Sequence, residues 1–160
     1  MFFKLNVDIS FVSFDCPIGI GFLLRDSKGL FIAAGTSVGY GGSSEEGECS
    51  GLLVGAQWAK QQLWKLILET DNKGEAYALQ GHPSNLSWMS YITIHETISN
   101  FKFFDVIIVK HCNRSGNYAA HILSKHADKS NMVSTVYCVP PVLLRSQLAD
   151  DILLCKLNSV

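Results

Sequence analysis

The sequence predicts an α/β layer fold on a five-stranded mixed sheet, in which a three-stranded antiparallel meander is extended by two parallel strands and flanked by helices. Three observations predict it. Apolar and polar residues alternate at the start of the chain, a helical three-and-four spacing follows, and short apolar runs bounded by turn residues recur downstream. The 160 residues are 48% hydrophobic and 17% charged, which suits one compact domain and not a disordered chain.

In FFKLNVDISFV, Phe3, Leu5, Val7, Ile9 and Phe11 alternate with Lys4, Asn6, Asp8 and Ser10. That is a half-buried strand with Asp8 on its polar face. IGIGFLLRD reads as a second strand, SKG as a turn and LFIAAGTSVGY as a third strand. Ser43 followed by Glu46 fits a capping box. The helix behind it carries the apolar stripe Cys49, Leu52, Leu53, Ala56, Ala59 and Leu63. KLILET is the fourth strand, and a short helix from about Lys73 to Leu79 stops at Gly81. SWMSYITIHETISNF places Trp88, Tyr91, Ile92, His95 and Ile98 on one helical face, which makes His95 a core histidine. Trp58, Trp64 and Trp88 suit core packing better than base stacking. FDVIIVKHC is the fifth strand. The loop NRSGN then leads into YAAHILSKHA, whose stripe is Ala119, Ala120, Leu123 and Ala127. VYCVPPVLLRSQLADDILL reads as an extended piece closed by Pro140 and Pro141, then a short helix. The expected organisation is a domain over residues 1–130 with a C-terminal extension over 131–160.

A net charge of −1 excludes a global positive field, so a polyanion would have to meet a local basic stripe. His111, Arg114, Lys125, His126 and Lys129 gather around the last strand and helix, as such a stripe or as a solvated face. The five cysteines are odd in number and form no C-x-x-C pair, the pattern of reduced thiols in an intracellular protein. No apolar run approaches the ~20 residues that span a bilayer, and the first residues lack the features of a secretion signal. The expected location is the nucleus or cytoplasm, with no membrane contact.

Right-handed crossover through the first helix sets strand four beside strand one. Asp8 and Asp71, the latter directly after KLILET, then occupy neighbouring strands. A third acid comes from the helix, where both Glu45 and Glu48 face the sheet and spacing does not choose between them. Converging carboxylates raise one another's pKa values unless a cation neutralises them, and a hard divalent ion with oxygen ligands is the natural cation.

KLNVDIS, the glycines of IGIGFLLRDSKG, SSEEGECSGLLVGAQWA, LILETDN, GNYAAHILSKHA and VPPVLL together resemble the ribonuclease H type I domain, and within it the plant branch similar to the RNase H segment of reverse transcriptases. The resemblance covers nearly the whole chain and implies an RNase H-like fold. It places the family's D-G-S acid on Asp8, its E-C acid on Glu48 and its T-D acid on Asp71, and so selects Glu48 over Glu45. It implies a site that binds Mg²⁺ or Mn²⁺ through Asp8, Glu48 and Asp71 and cuts the RNA strand of an RNA–DNA hybrid by two-metal hydrolysis. Ser10, Asn72, Arg114, Asn117 and Lys125 are the candidate nucleic-acid contacts. The same resemblance implies a monomer that can belong to a larger retroelement-derived protein.

Three residues depart from the family pattern. His121 stands where a fourth acid opens the last helix, in N-x-x-A-D. It lies about 200° around the helix from Ala119, at ~100° per residue, off the buried stripe and within reach of the site. There it is a candidate proton carrier or an exposed histidine with no role. Ile9 replaces a glycine that lets a nucleic-acid backbone approach. Gly47 replaces an alanine, at roughly 1 kcal/mol of helix propensity. These departures motivate a second expectation, a catalytically silent module that binds nucleic acid or protein.

Overall fold

The computed structural model describes residues 1–61 and 65–157, without the side chains of 154–157. Leu63 and Trp64, assigned above to the helix stripe and the core, lie outside the described residues, as does the Cys155 side chain. In chain order the elements are β1 (Phe3–Ser10), β2 (Ile18–Arg25), β3 (Phe31–Gly39), α1 (Ser44–Ala59), β4 (Lys65–Thr70), α2 (Lys73–Leu79), α3 (Trp88–Ser99), β5 (Val106–His111), α4 (Arg114–Lys125), β6 (Thr135–Tyr137) and α5 (Arg145–Leu157), with single 3-10 turns at Phe101–Phe103 and Val142–Leu144.

The sheet has six strands in the order β5-β4-β1-β2-β3-β6, one more than the sequence predicts. The sixth, β6, runs antiparallel to β3, with Tyr137 opposite Ala34 and Thr135 opposite Thr36. Three residues are too few for an alternation to show, which is why this strand read only as an extended piece. The β1–β2–β3 meander is antiparallel, whereas β1–β4 and β4–β5 are parallel, as the crossover argument requires.

Both faces of the sheet are covered. Leu5, Val7 and Ile9 of β1 pack with Ile18, Ile20, Leu52 and Leu68 in the larger core, on the side of α1. Leu23, Ala34, Ala119, Leu123, Leu144 and Leu148 form the smaller one, on the side of α4. Glycines set how closely both helices approach. A Cβ at Gly21 would stand 2.3 Å from the Ala120 carbonyl oxygen on α4. Along α1, Cβ atoms at Gly47, Gly51 and Gly55 would come within 3.2, 2.7 and 2.7 Å of Ile9 Cδ1, Ile9 Cγ2 and Val7 Cγ2. Gly47 is therefore part of a notch that receives Ile9. The two departures from the family pattern fit each other, because the isoleucine side chain packs down against α1.

Ser43 caps α1 by accepting from the Glu46 N–H at 3.2 Å, and Glu46 Oε2 accepts from the Gly42 N–H at 2.9 Å. The return bond of the box thus lands one residue early. Trp58 stacks on Phe22 at a centroid distance of 4.8 Å, in keeping with a packing role.

The buried face of α3 differs from the expected one. It consists of Ser90, Ile94 and Thr97, while Trp88 and Ile92 are 77% and 46% exposed and His95 is exposed. This helix packs mainly on α1 and α2, where Ser90 donates to the Glu45 carboxylate of α1 at 2.7 Å and Thr97 satisfies its own hydroxyl on the Thr93 carbonyl at 2.9 Å. Helix α4 also begins earlier than predicted, inside NRSGN, at Arg114. Beyond residue 130 the chain stays bound to the sheet, since Asp151 of α5 pairs with buried Arg25 of β2 at 2.7 Å.

Candidate active site

Parallel pairing of β1 with β4 sets Asn6 opposite Glu69. Asp8 and Asp71, each two residues further on, therefore emerge together at the carboxyl ends of adjacent strands. Glu48 reaches the same place from α1 and His121 from α4, and all four line one cavity of about 710 Å³.

Asp8 is 7% exposed, and the His121 Nδ1 stands 2.7 Å from its Oδ2. Burial raises the Asp8 pKa, the His121 contact opposes that rise, and the nearby Asp71 charge adds to it. Glu48 is pushed up to about 9, by burial first and then by the charges of Asp8, Glu75 and Asp71, with only Arg114 acting the other way. Arg114 Nε lies 3.7 Å from Asp71 Oδ2, on a side chain that is 96% exposed. The centre is therefore short of positive charge, which favours the protonated form of the Glu48 carboxyl.

Among the described residues no three His, Cys, Asp or Glu side chains stand close enough to enclose a metal ion as they are. The donor chemistry nevertheless fits a hard divalent cation. Asp8, Glu48 and Asp71 offer only oxygen ligands, and the raised Glu48 and Asp8 pKa values mark a place where added positive charge would be favourable.

Glu45, the competing helix acid, borders the cavity, but its Oε1 is engaged by the Ser87 N–H at 2.8 Å and the Ser90 hydroxyl at 2.7 Å. It ties α1 to the start of α3. Of the proposed nucleic-acid contacts, Ser10, Asn72, Arg114 and Lys125 line the cavity. Ser10 Oγ accepts from Lys129 Nζ at 2.6 Å, so Lys129 reaches the rim too, whereas His126 turns back to the Ile122 carbonyl of its own helix. Asn117 is a correction. It is 1% exposed, and its amide donates to the Val7 carbonyl at 2.8 Å, which pins α4 to β1 beside Asp8 and leaves the side chain out of reach of a ligand.

One carboxyl escaped the sequence reading. Glu75 of α2 is fully buried and is pushed up to about 8, chiefly by burial, with the Thr70 hydrogen bond opposing. Its spacing from Asn72 matches a capping box, a pattern that does not tell whether the acid is solvated or buried.

Comparison with known families decides the assignment: the reverse transcriptase-like family matches residues 6–127. The chain belongs to that family. No curated protein matches it. Among solved structures, this reverse transcriptase-like chain superposes on RNase H1 from the halophilic archaeon Halobacterium salinarum NRC-1 with a TM-score of 0.73 at 17% identity, over 79% of this chain and 97% of that one. LC11-RNase H1 in complex with an RNA/DNA hybrid gives 0.69 at 13% identity, over 82% and 99%. The foamy viral protease-reverse transcriptase in complex with an RNA/DNA hybrid gives 0.61 at 12% identity, over 81% of this chain and 20% of that one. The likeness at these identities is one of fold, and the fold is RNase H-like.

Proposed function

We propose that this reverse transcriptase-like domain hydrolyses the RNA strand of RNA–DNA hybrids with the help of divalent metal ions. The observation that carries the reading is the convergence of Asp8, Glu48 and Asp71, from three separate elements, on one open cavity. Two of the similar structures hold RNA/DNA hybrids, which supports the substrate class.

Asp8, Glu48 and Asp71 would hold Mg²⁺, or Mn²⁺ in its place. Such ions, when bound, activate a water and stabilise the leaving oxygen of an in-line phosphodiester displacement. The chain's own residues do the rest. Arg114 and Lys125 draw phosphates to the cavity, and Ser10 and Asn72 offer short polar side chains to sugar or phosphate. RNA is told from DNA by its 2′-hydroxyl, exposed in a wide, shallow minor groove. His121 orients the Asp8 carboxylate through Nδ1, and its imidazole stands at the cavity as a candidate proton carrier.

A second reading has its own observation. His121 and Arg114 already pair with Asp8 and Asp71, as they would in a module that binds nucleic acid or protein without cutting, within a larger retroelement-derived protein.

The deciding experiment incubates the protein with a labelled RNA strand annealed to DNA, in Mg²⁺ or Mn²⁺, beside Asp71→Asn and His121→Asp. Metal-dependent cutting that is lost in Asp71→Asn supports the nuclease. Cutting by His121→Asp alone supports the silent module. A folded wild type and a folded His121→Asp that are both inert remove catalysis from the account.

A further inference from the structure

Strand β4 passes into α2 through a chain of hydrogen bonds that encloses Asp71. The Asn72 backbone N–H donates to Thr70 Oγ1 at 3.2 Å, and the Thr70 hydroxyl donates to Glu75 Oε2 at 3.1 Å. Asn72 Oδ1 accepts in turn from the N–H groups of Gly74 and Glu75, at 2.9 and 3.3 Å. In an ordinary capping box the acid three residues into the helix reaches straight back to the N-cap N–H. Here the Thr70 hydroxyl stands between the two as a relay, so its orientation toward the Asn72 N–H depends on the Glu75 side chain, while the His111 ring meets the Asp71 carbonyl at 3.2 Å from the β5 side.

That side chain is placed at a cost. Glu75 is 0% exposed, and its second oxygen, Oε1, has no hydrogen-bond partner among the described residues. A buried carboxyl with unused acceptor capacity opposes folding, and an apolar residue of similar volume would serve α2 better, since its neighbours Ala76, Ala78 and Leu79 are buried as well. Packing therefore does not account for a carboxyl at this position, whereas its bond to Thr70 does.

We propose that Glu75 is a positioning residue, which acts through the Thr70 hydroxyl to fix the turn that holds the Asp71 carboxylate at the cavity. The inference rests on the reading of Asp8, Glu48 and Asp71 as a metal-binding nuclease centre and deepens it. Glu75 touches neither substrate nor ion, and its effect passes through Thr70 and Asn72.

The test compares Glu75→Leu, Glu75→Gln and Thr70→Val with the wild type by three measurements: hydrogen exchange of the Asn72 amide, Mg²⁺ affinity by calorimetry, and melting temperature. In Glu75→Leu the Asn72 amide exchanges about tenfold faster and Mg²⁺ affinity falls about tenfold, in the range typical for groups that support a metal ligand, while the melting temperature stays level or rises. Glu75→Gln, whose carbonyl still accepts from Thr70, stays within about twofold of wild type in both measurements, and Thr70→Val behaves like Glu75→Leu. Unchanged Asn72 exchange in Glu75→Leu overturns the proposal. So does a large drop in its melting temperature, which would make the residue merely structural, and so does equal loss in Glu75→Gln. If exchange responds as expected but wild type neither binds Mg²⁺ nor cuts hybrid, the positioning of Asp71 stands and the nuclease reading fails.

Discussion

Glu48 carries the largest electrostatic penalty in the cavity, because burial and three acidic neighbours push it up to about 9, against about 4.3 in an unfolded chain. Between those values the folded state holds a proton that the unfolded state has lost. Its contribution to stability is complete below about pH 4.3 and is lost as the pH rises toward 9. The melting temperature of chelator-treated protein should therefore fall between pH 5 and pH 9. Glu48→Gln should flatten that fall and melt higher at pH 8, by roughly 2–4 °C for each kcal/mol of relieved strain, as calorimetry at several pH values would show. The legibility of these residues follows from what governs each one. Asp8 and Asp71 could be placed from the sequence because strand ends and crossover handedness are local rules. The reach of His121 could be placed from helical angle, but its bond to Asp8 could not, since that depends on how α4 lies across Gly21. Glu75 stayed hidden because nothing in a sequence distinguishes a solvated capping acid from one that tertiary packing has covered.

Helix α1 illustrates how an element can contradict its propensities and still be well made. Gly47, Gly51 and Gly55 weaken it as a helix, by about 1 kcal/mol each relative to alanine, yet all three lie on its buried side. The close approach they permit brings Glu48 down to the level of Asp8. Gly51→Ala should therefore destabilise, by about 1–3 kcal/mol as an overpacked core does, instead of gaining helix propensity. Pairing it with Ile9→Ala should recover most of the loss, and a double-mutant cycle by urea unfolding would measure the coupling. For α1 the apolar stripe was legible from Cys49, Leu52, Ala56 and Ala59, and the glycine notch was not, because its meaning lies in Ile9 and Val7 on another element. For α3 the sequence placed Ile98 against the core, where it packs, but missed the buried Ser90, Ile94 and Thr97. Trp88 and Ile92 suggested a core, but the partner surface presents the Glu45 carboxylate to Ser90, and Thr97 turns its hydroxyl back to the Thr93 carbonyl of its own helix.

For the molecule as a whole, the charge balance is the constraint that bears most on binding. With a net charge of −1, attraction for a polyanion rests on local cations, and Lys73, Arg114 and Lys125 are those that line the cavity. Neutralising about three phosphates corresponds to a slope of log affinity on log salt near −2.7. Raising salt from about 50 to 200 mM should then weaken hybrid binding by ~10–100-fold, and Arg114→Ala should reduce the slope by about one unit, measurable by fluorescence anisotropy with Ca²⁺ in place of Mg²⁺. Integrity of the whole fold rests partly on Arg25 and Asp151, 126 residues apart in sequence. Removing the acid with Asp151→Ala leaves a buried guanidinium without its counter-ion and should cost about 3–5 kcal/mol in a denaturant titration. The pairing of β6 with β3 was equally invisible beforehand, because contacts across a hundred residues leave no periodic trace in either partner.

The covered thiol of Cys49 turns this architecture into its own stopwatch. It is fully buried, beside Ser90 of α3 and Glu75 of α2, and burial with the nearby Glu75 charge pushes its pKa up to about 12, so in the closed protein it has neither the access nor the thiolate character that alkylation requires. Cys138 is exposed and should be modified at once. The lag before Cys49 follows would count the excursions in which α1 parts from α2 and α3, and added Mg²⁺, were it held by Asp8, Glu48 and Asp71 as proposed, should lengthen that lag in proportion to how tightly it is bound.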